Sequence, residues 1–160
     1  MTGIVVSLAA PDDAEALARL QVDFNSEFES PCPEPEQLAR RFRAILALPQ
    51  AYAVLAGAPR APDGYALVTL RPTIYSDGPL GVLDELYVRP GLRADGIGTA
   101  LLRRAVDELR NRGGEEMHIN VDEVDADARR FYERHGFANT EAGTEDRMLL
   151  YTREFPASIR

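Results

Sequence analysis

The stretch RPGLRADGIGTALLRRAVDEL, residues 89–109, decides how the rest of the chain is read. Its second half is an amphipathic helix. Ile97, Leu101, Ala105 and Leu109 fall on one stripe with Leu102 and Val106 beside it, while Arg103, Arg104, Asp107, Glu108 and Arg110 face out. Two glycines stand at its head. Glycine inside a helix costs roughly 1 kcal/mol relative to alanine, so Gly96 and Gly98 act at the helix start. There the first turn exposes unpaired N–H groups and the positive end of the helix dipole. Without Cβ atoms in the way a phosphate can approach, and Arg93 adds a full charge and several donors. RADGIG (93–98) therefore reads either as a pyrophosphate cradle or as a glycine-rich connection that merely turns. Two other phosphate motifs fail. The third glycine of G-x-G-x-x-G would fall at Leu101, and a P-loop needs a lysine, of which the chain has none.

Outward from this stretch the elements alternate. VLDELYV (82–88), ended by Pro90, is a strand of mixed sidedness. GIVVSLAA (3–10) is a first strand. Asp12 with Glu15 forms a capping box for a helix that runs to about residue 28 through Leu17, Leu20, Phe24 and Phe28. SPCPEPEQ (30–37) breaks it, and Leu38, Phe42, Ile45 and Leu46 mark a second amphipathic helix before Pro49. AYAVLAG (51–57) and DGYALVTLRP (63–72) pair as a hairpin, followed by the turn YSDGPLG (75–81). Beyond the central helix, stopped by Gly113 and Gly114, come a strand over 116–123, a helix over 125–137 and a last strand over 145–155. A short strand near 137–139 also fits. The order β-α-α-β-β-β-α-β-α-β, without linker or repeat, predicts one mixed α/β domain over 1–160.

Bulk properties narrow the function. At 160 residues and 45% apolar the chain is long enough for a real core. No apolar run is long enough for a bilayer, and the N-terminus lacks the basic start of a secretory signal, so a cytoplasmic protein without a membrane partner is expected. The single cysteine, Cys32, excludes an internal disulfide framework, and no metal site is expected. A net charge of −8 argues against nucleic acid and leans toward a cationic or amine-bearing ligand. All 18 basic residues are arginine, which with the alanine content points to a GC-rich bacterial genome.

RADGIG matches the R-x-x-G-x-G signature of the GNAT superfamily of N-acetyltransferases. ARRFYERHGF (128–137) is similar to that superfamily's A-x-x-x-Y-x-x-x-G-F helix. The two stand in the family's order and at a family-like distance, and the element order is similar over nearly the whole chain. The resemblance implies a central mixed, mostly antiparallel, splayed sheet flanked by about four helices. It implies acetyl-CoA as carrier, its pyrophosphate held by Arg93, Ala94, Asp95, Gly96, Ile97, Gly98 and Thr99. Its pantetheine arm would lie along the main chain of Leu86, Tyr87 and Val88, one N–H of which would polarise the thioester carbonyl. Asp125 stands where family members often carry asparagine; it can cap the helix but donates nothing toward a cofactor.

The same resemblance gives Tyr132 the role of general acid. A phenol titrates near 10, close to an alkyl thiol, so proton transfer to a departing thiolate is nearly balanced; the alternative is a core aromatic beside Phe131. Glu85 shares a strand face with Tyr87 and is a candidate base. Asp122 and Glu123 are others, and each of the three can equally be a solvated strand-end carboxylate. Asn25, Glu27, Phe28, Glu29 and Tyr75 are the acceptor-binding candidates, the acidic NSEFES (25–30) suiting a cationic amine, unless it is a solvated helix end. The expected activity is direct transfer of an acetyl group to a primary amine of a small molecule or amino-acid derivative. The alternatives are a non-catalytic acyl-CoA-binding regulatory domain, a protein N-terminal acetyltransferase, or another acyl donor. The family also admits a homodimer through its last strands.

Overall fold

A computed structural model describes residues 3–157. Packing divides the described residues into two units, with the division between Ile119 and Asn120. The first contains strand β1 (Val6–Leu8), helices α1 (Ala14–Glu27) and α2 (Pro35–Leu46), strands β2 (Ala51–Ala58), β3 (Ala61–Arg71) and β4 (Leu80–Val88), helix α3 (Ile97–Asn111) and strand β5 (Met117–His118). The five strands form one sheet in the order β1-β2-β3-β4-β5, antiparallel up to β4 and parallel between β4 and β5.

Central strands β2 and β3 are buried on both faces, as AYAVLA (51–56) and YALV (65–68) foretell by lacking any polar alternation. One face is covered by α1 and α2: Leu17, Leu20, Leu38 and Phe42 pack with Leu55, Tyr65, Leu67 and Tyr87. Ile97, Leu101, Leu102, Ala105 and Leu109, the stripe expected of α3, are all buried.

The register of β3 with β4 carries one irregularity. Leu67 lies opposite Glu85 and Val68 opposite Leu83, so Asp84 is an extra residue, a β-bulge. Thr69 Oγ1 donates to Asp84 Oδ2 at 2.6 Å on the exposed side. Beyond Asp84 the alternation resumes, so Glu85 and Tyr87 share the face of Tyr65 and Leu67.

The second unit contains helix α4 (Ala126–Arg134) and an isolated bridge between Thr140 and Arg147. Several boundaries differ from expectation. The capping box of Asp12 and Glu15 does not form: Pro11–Asp13 is a 3-10 turn closed by Ala10 N donating to Asp13 Oδ2 (2.8 Å), and Glu15 pairs with Arg43 of α2 instead. The strand expected over 116–123 keeps only Met117 and His118, because Asn120, Asp122 and Glu123 bring polar side chains to both faces. The last strand over 145–155, and a short one near 137–139, reduce to the single bridge. Met148, Leu149 and Leu150 are consecutive rather than alternating, so no one face gathers them, and all three are exposed.

Gly64 of β3 faces the end of β4. A Cβ built there would lie 2.5 Å from the carbonyl oxygen of Tyr87. Gly64→Ala is expected to destabilise the protein by about 1–3 kcal/mol, the range for overpacking, seen as a lower midpoint in denaturant with unchanged slope.

Candidate functional site

Between β4 and α3 the chain makes a 3-10 turn (Pro90–Leu92) and then two left-handed residues, Ala94 at φ +76° and Gly96 at φ +84°. Glycine takes that conformation freely; alanine pays roughly 1–2 kcal/mol for it. The two reversals aim the start of α3 outward. Its first intrahelical bond runs from Ala100 N to Gly96 O at 3.0 Å. The N–H groups of Ile97 and Gly98 donate to no protein acceptor among the described residues, and Thr99 follows in the same turn. Orphan amides behind a glycine cap are a donor set that fits a diphosphate.

The guanidinium itself is held in a way the sequence does not foretell. Arg93 Nε donates to the Val88 carbonyl at 2.9 Å, and Nη1 and Nη2 donate to both oxygens of Glu27 at 2.5 and 2.6 Å. Arg89 likewise donates to Asp23 Oδ2 at 2.6 Å. Asp23 and Glu27 are one helical turn apart on α1, so that helix grips the turn ahead of α3 at two points. Phe24 lies between them, edge-on to Tyr87 with ring centroids 5.0 Å apart.

Strand β4 is open where the carrier's arm is expected. It pairs with β5 only at Gly81–Met117 and Val82–His118. From Leu83 to Val88 the outer edge, including Leu86 and Tyr87, has no neighbouring strand among the described residues. An open edge of main-chain donors and acceptors can take up an extended ligand as an added strand.

On the face covered by α1 and α2 lies a cavity of about 270 Å³. Leu67 and Glu85 of the sheet line it, with Gln21 and Asn25 of α1, Pro33 of the connection, and Leu38, Arg41, Phe42 and Ile45 of α2. Its polar side chains are chained: the Tyr65 hydroxyl donates to Gln21 Oε1, Gln21 Nε2 to Asn25 Oδ1 (2.6 Å), and Asn25 Nδ2 to the Pro31 carbonyl (2.7 Å). Burial, reinforced by the Asp84 charge, pushes the Glu85 carboxyl up to about 7.

Of the acceptor-binding candidates, Asn25 lines this cavity. Phe28 stacks on Phe24 (5.2 Å) at the exposed end of α1 and does not line it. Tyr75 is 91% exposed on the 73–81 loop and does not line it either. Glu27 is turned toward Arg93, and Glu29 lies past the helix end. Gln21, Arg41 and Leu67 escape the sequence reading. Their signal is spacing: Gln21 sits four residues before Asn25, and Arg41 shares a helix face with Leu38, Phe42 and Ile45.

In the second unit Asp125 caps α4, its Oδ1 accepting from Ala128 N at 3.0 Å. Tyr132 is buried, its ring edge-on to Phe131 (5.1 Å) and packed against Phe137 (5.7 Å). Glu123 pairs with Arg147, whose hydrogen bond and charge lower its carboxyl.

The profile of the "Acetyltransferase (GNAT) family" matches residues 15–137. The chain belongs to the GNAT acetyltransferase family. The family is one of acetyltransferases, and its acyl carrier is acetyl-CoA. Among GNAT relatives of known structure, a protein from Arthrobacter sp. FB24 with a provisional acetyltransferase name is 44% identical, covers 97% of this chain and 98% of its own, and superposes with a TM-score of 0.89. An aminoglycoside N-acetyltransferase solved with CoA shares the fold at 19% identity (TM-score 0.76; 94% and 95% covered). Streptothricin acetyltransferase from Streptomyces lavendulae is 41% identical over 56 residues, 35% of this chain and 30% of that protein. The matched segments span under a third of the curated relatives' lengths. Among the described residues no helix is long and apolar enough to cross a membrane.

Two outcomes follow from the charges. Glu27→Gln removes a carboxylate from beside the turn ahead of α3 and releases Arg93; calorimetry with CoA is expected to show roughly threefold to tenfold tighter binding. Folded Glu85 holds a proton that an unfolded glutamate releases near 4.5. The folded state therefore binds more protons between pH 4.5 and 7, and stability falls as pH rises through that window. Glu85→Gln is expected to raise the melting temperature at pH 8 and to leave it nearly unchanged at pH 5.

Proposed function

We propose that the protein is an acetyl-CoA-dependent N-acetyltransferase that acetylates a primary amine of a small molecule by direct attack, with residues 1–160 as one catalytic domain. The observation that carries this reading is the conjunction, in one unit, of three features. They are a helix start with orphan amides behind a glycine cap, an open strand edge, and a cavity holding a carboxyl tuned near neutrality. An aminoglycoside acetyltransferase of the same fold, solved with CoA, supports the choice of carrier.

Bound acetyl-CoA supplies an acetyl thioester, whose C–S bond breaks as the C–N bond forms, the electron pair leaving on sulfur. The amides of Ile97 and Gly98, with Arg93, hold the diphosphate, while Ala94, Asp95, Gly96 and Thr99 shape the turn. The main chain of Leu86, Tyr87 and Val88 orients the arm and offers an N–H to the carbonyl oxygen. Glu85, as carboxylate, takes a proton from the acceptor ammonium and leaves the nitrogen lone pair free to attack. A carboxyl titrating near 7 is half ionised at neutral pH, so it can both accept this proton and release it to water. The Tyr132 hydroxyl gives its proton to the sulfur, and the second proton, shed by the acylated nitrogen as it becomes a neutral amide, restores the phenol by way of solvent. Asn25 contacts the acceptor, Phe28 and Tyr75 flank its approach, and Asp125 positions the helix that carries Tyr132.

Tyr132→Phe separates turnover from mere carrier binding. The expected result is a fall in kcat of about 10²–10⁴-fold, the span of general acid catalysis, with the Kd for CoA unchanged. Full activity in this variant would remove the acid assignment. Gly98→Val is expected to abolish measurable CoA binding in calorimetry while the far-UV spectrum stays native; wild-type affinity would remove the phosphate assignment.

A further inference from the structure

The cavity that holds Glu85 differs from what the acidic sequence around it leads one to expect. Glu27 and Glu29 of NSEFES (25–30) read as suited to a cationic amine, and Asp23 stands just ahead of them. In the fold none of them lines the cavity. Asp23 is turned to Arg89 and Glu27 to Arg93, while Glu29 lies beyond the end of α1. The lining keeps one carboxyl, Glu85, and one full positive charge, Arg41; the rest is amide or apolar.

That balance bears on the acceptor. A polycation would have to place its further ammonium groups against Leu38, Phe42, Ile45 and Leu67, or beside Arg41. Desolvating an unpaired charge on an apolar wall is costly, and a second positive charge next to a guanidinium adds repulsion. At about 270 Å³ the space is small for a ligand pocket and fits a molecule of amino-acid size. We propose that the acceptor is a monoamine zwitterion: one primary amine directed to Glu85, an apolar body packed on Leu38, Phe42, Ile45 and Leu67, and one carboxylate directed to Arg41.

Each part of such a molecule meets its complement. The apolar body gains roughly 25 cal/mol per Å² of surface removed from water. Its carboxylate meets a planar, permanently charged fork able to bind it through two hydrogen bonds. The Gln21–Asn25 pair, fixed by the Tyr65 hydroxyl and the Pro31 carbonyl, presents amide groups to whatever polar atoms remain. This inference rests on the proposed acetyltransferase reading and names its acceptor.

The test uses the full chain, acetyl-CoA and release of free thiol. Phenylalanine, leucine and 6-aminohexanoate are compared with 2-phenylethylamine, isoamylamine and pentylamine, their counterparts without the carboxylate, and with spermidine and tobramycin. At least one zwitterion is expected to exceed its counterpart by tenfold or more in kcat/KM, with both polycations below it. Arg41→Ala is expected to raise KM for that zwitterion by about tenfold to a hundredfold, the loss of one charged hydrogen-bonded contact. The counterpart amine, which has no carboxylate to lose, is expected to show no such rise in KM. Preference for spermidine or tobramycin, equal effects of Arg41→Ala on both partners of a pair, or no zwitterion turned over by a protein that binds CoA would each overturn the inference. The acetyltransferase reading fails separately, on absence of CoA binding together with absence of turnover for every amine tested.

Discussion

Strand β4 meets two demands that ordinary pairing would make incompatible. Its inner edge is hydrogen-bonded to β3 along its whole length, which anchors it in the sheet. Its outer edge loses β5 after two residues, which leaves main-chain groups available beside the start of α3. The extra residue at Asp84 lies where these demands meet. It lets the exposed carboxylate of Asp84 bond Thr69 while the next residue, Glu85, lies opposite Leu67 and lines the cavity. Two adjacent acids thus experience different surroundings, and only the buried one is driven toward neutrality. Without the bulge the strand's alternation would run one residue out of step, and Glu85 and Tyr87 would together leave the face of Tyr65 and Leu67.

Charge is distributed by the same economy of position. The protein is strongly acidic overall, yet its acids near the candidate site are committed to arginines: Asp23 to Arg89, Glu27 to Arg93, Glu15 to Arg43. What remains inside the cavity is defined by burial rather than by abundance. A count of acidic residues along the chain therefore misstates the field an acceptor meets, because a carboxylate paired with a guanidinium presents little net charge beyond a few ångströms.

Local patterns were legible where a single physical cause acts. The stripe of α3 and the doubly buried runs of β2 and β3 follow from periodicity; the glycine at the helix start follows from the need for a left-handed residue. Asp125 capping α4 is equally local. What the chain hid depends on register or on distant partners. Nothing in VLDELYV announces an extra residue at Asp84, and nothing in RADGIG announces that Arg93 reaches back sixty-six positions to Glu27. That Phe28 and Tyr75 stay outside the cavity lining, one at an exposed helix end and one on an exposed loop, depends on the path of the chain and not on residue type. The final strand was expected because Met148, Leu149, Leu150 and Tyr151 are apolar; a run without alternation gives the backbone no single inward side to prefer.

The clasp of Glu27 on Arg93 is partly open to solvent, with 26% and 42% of the two side chains exposed. Dissolved electrolytes reach such a pair. Sulfate or phosphate from a buffer can displace the carboxylate from the guanidinium, and with it loosen the last turn of the helix that also walls the cavity of Glu85. Assays run in phosphate and in an anion-poor buffer thus begin from two differently set forms of the same protein.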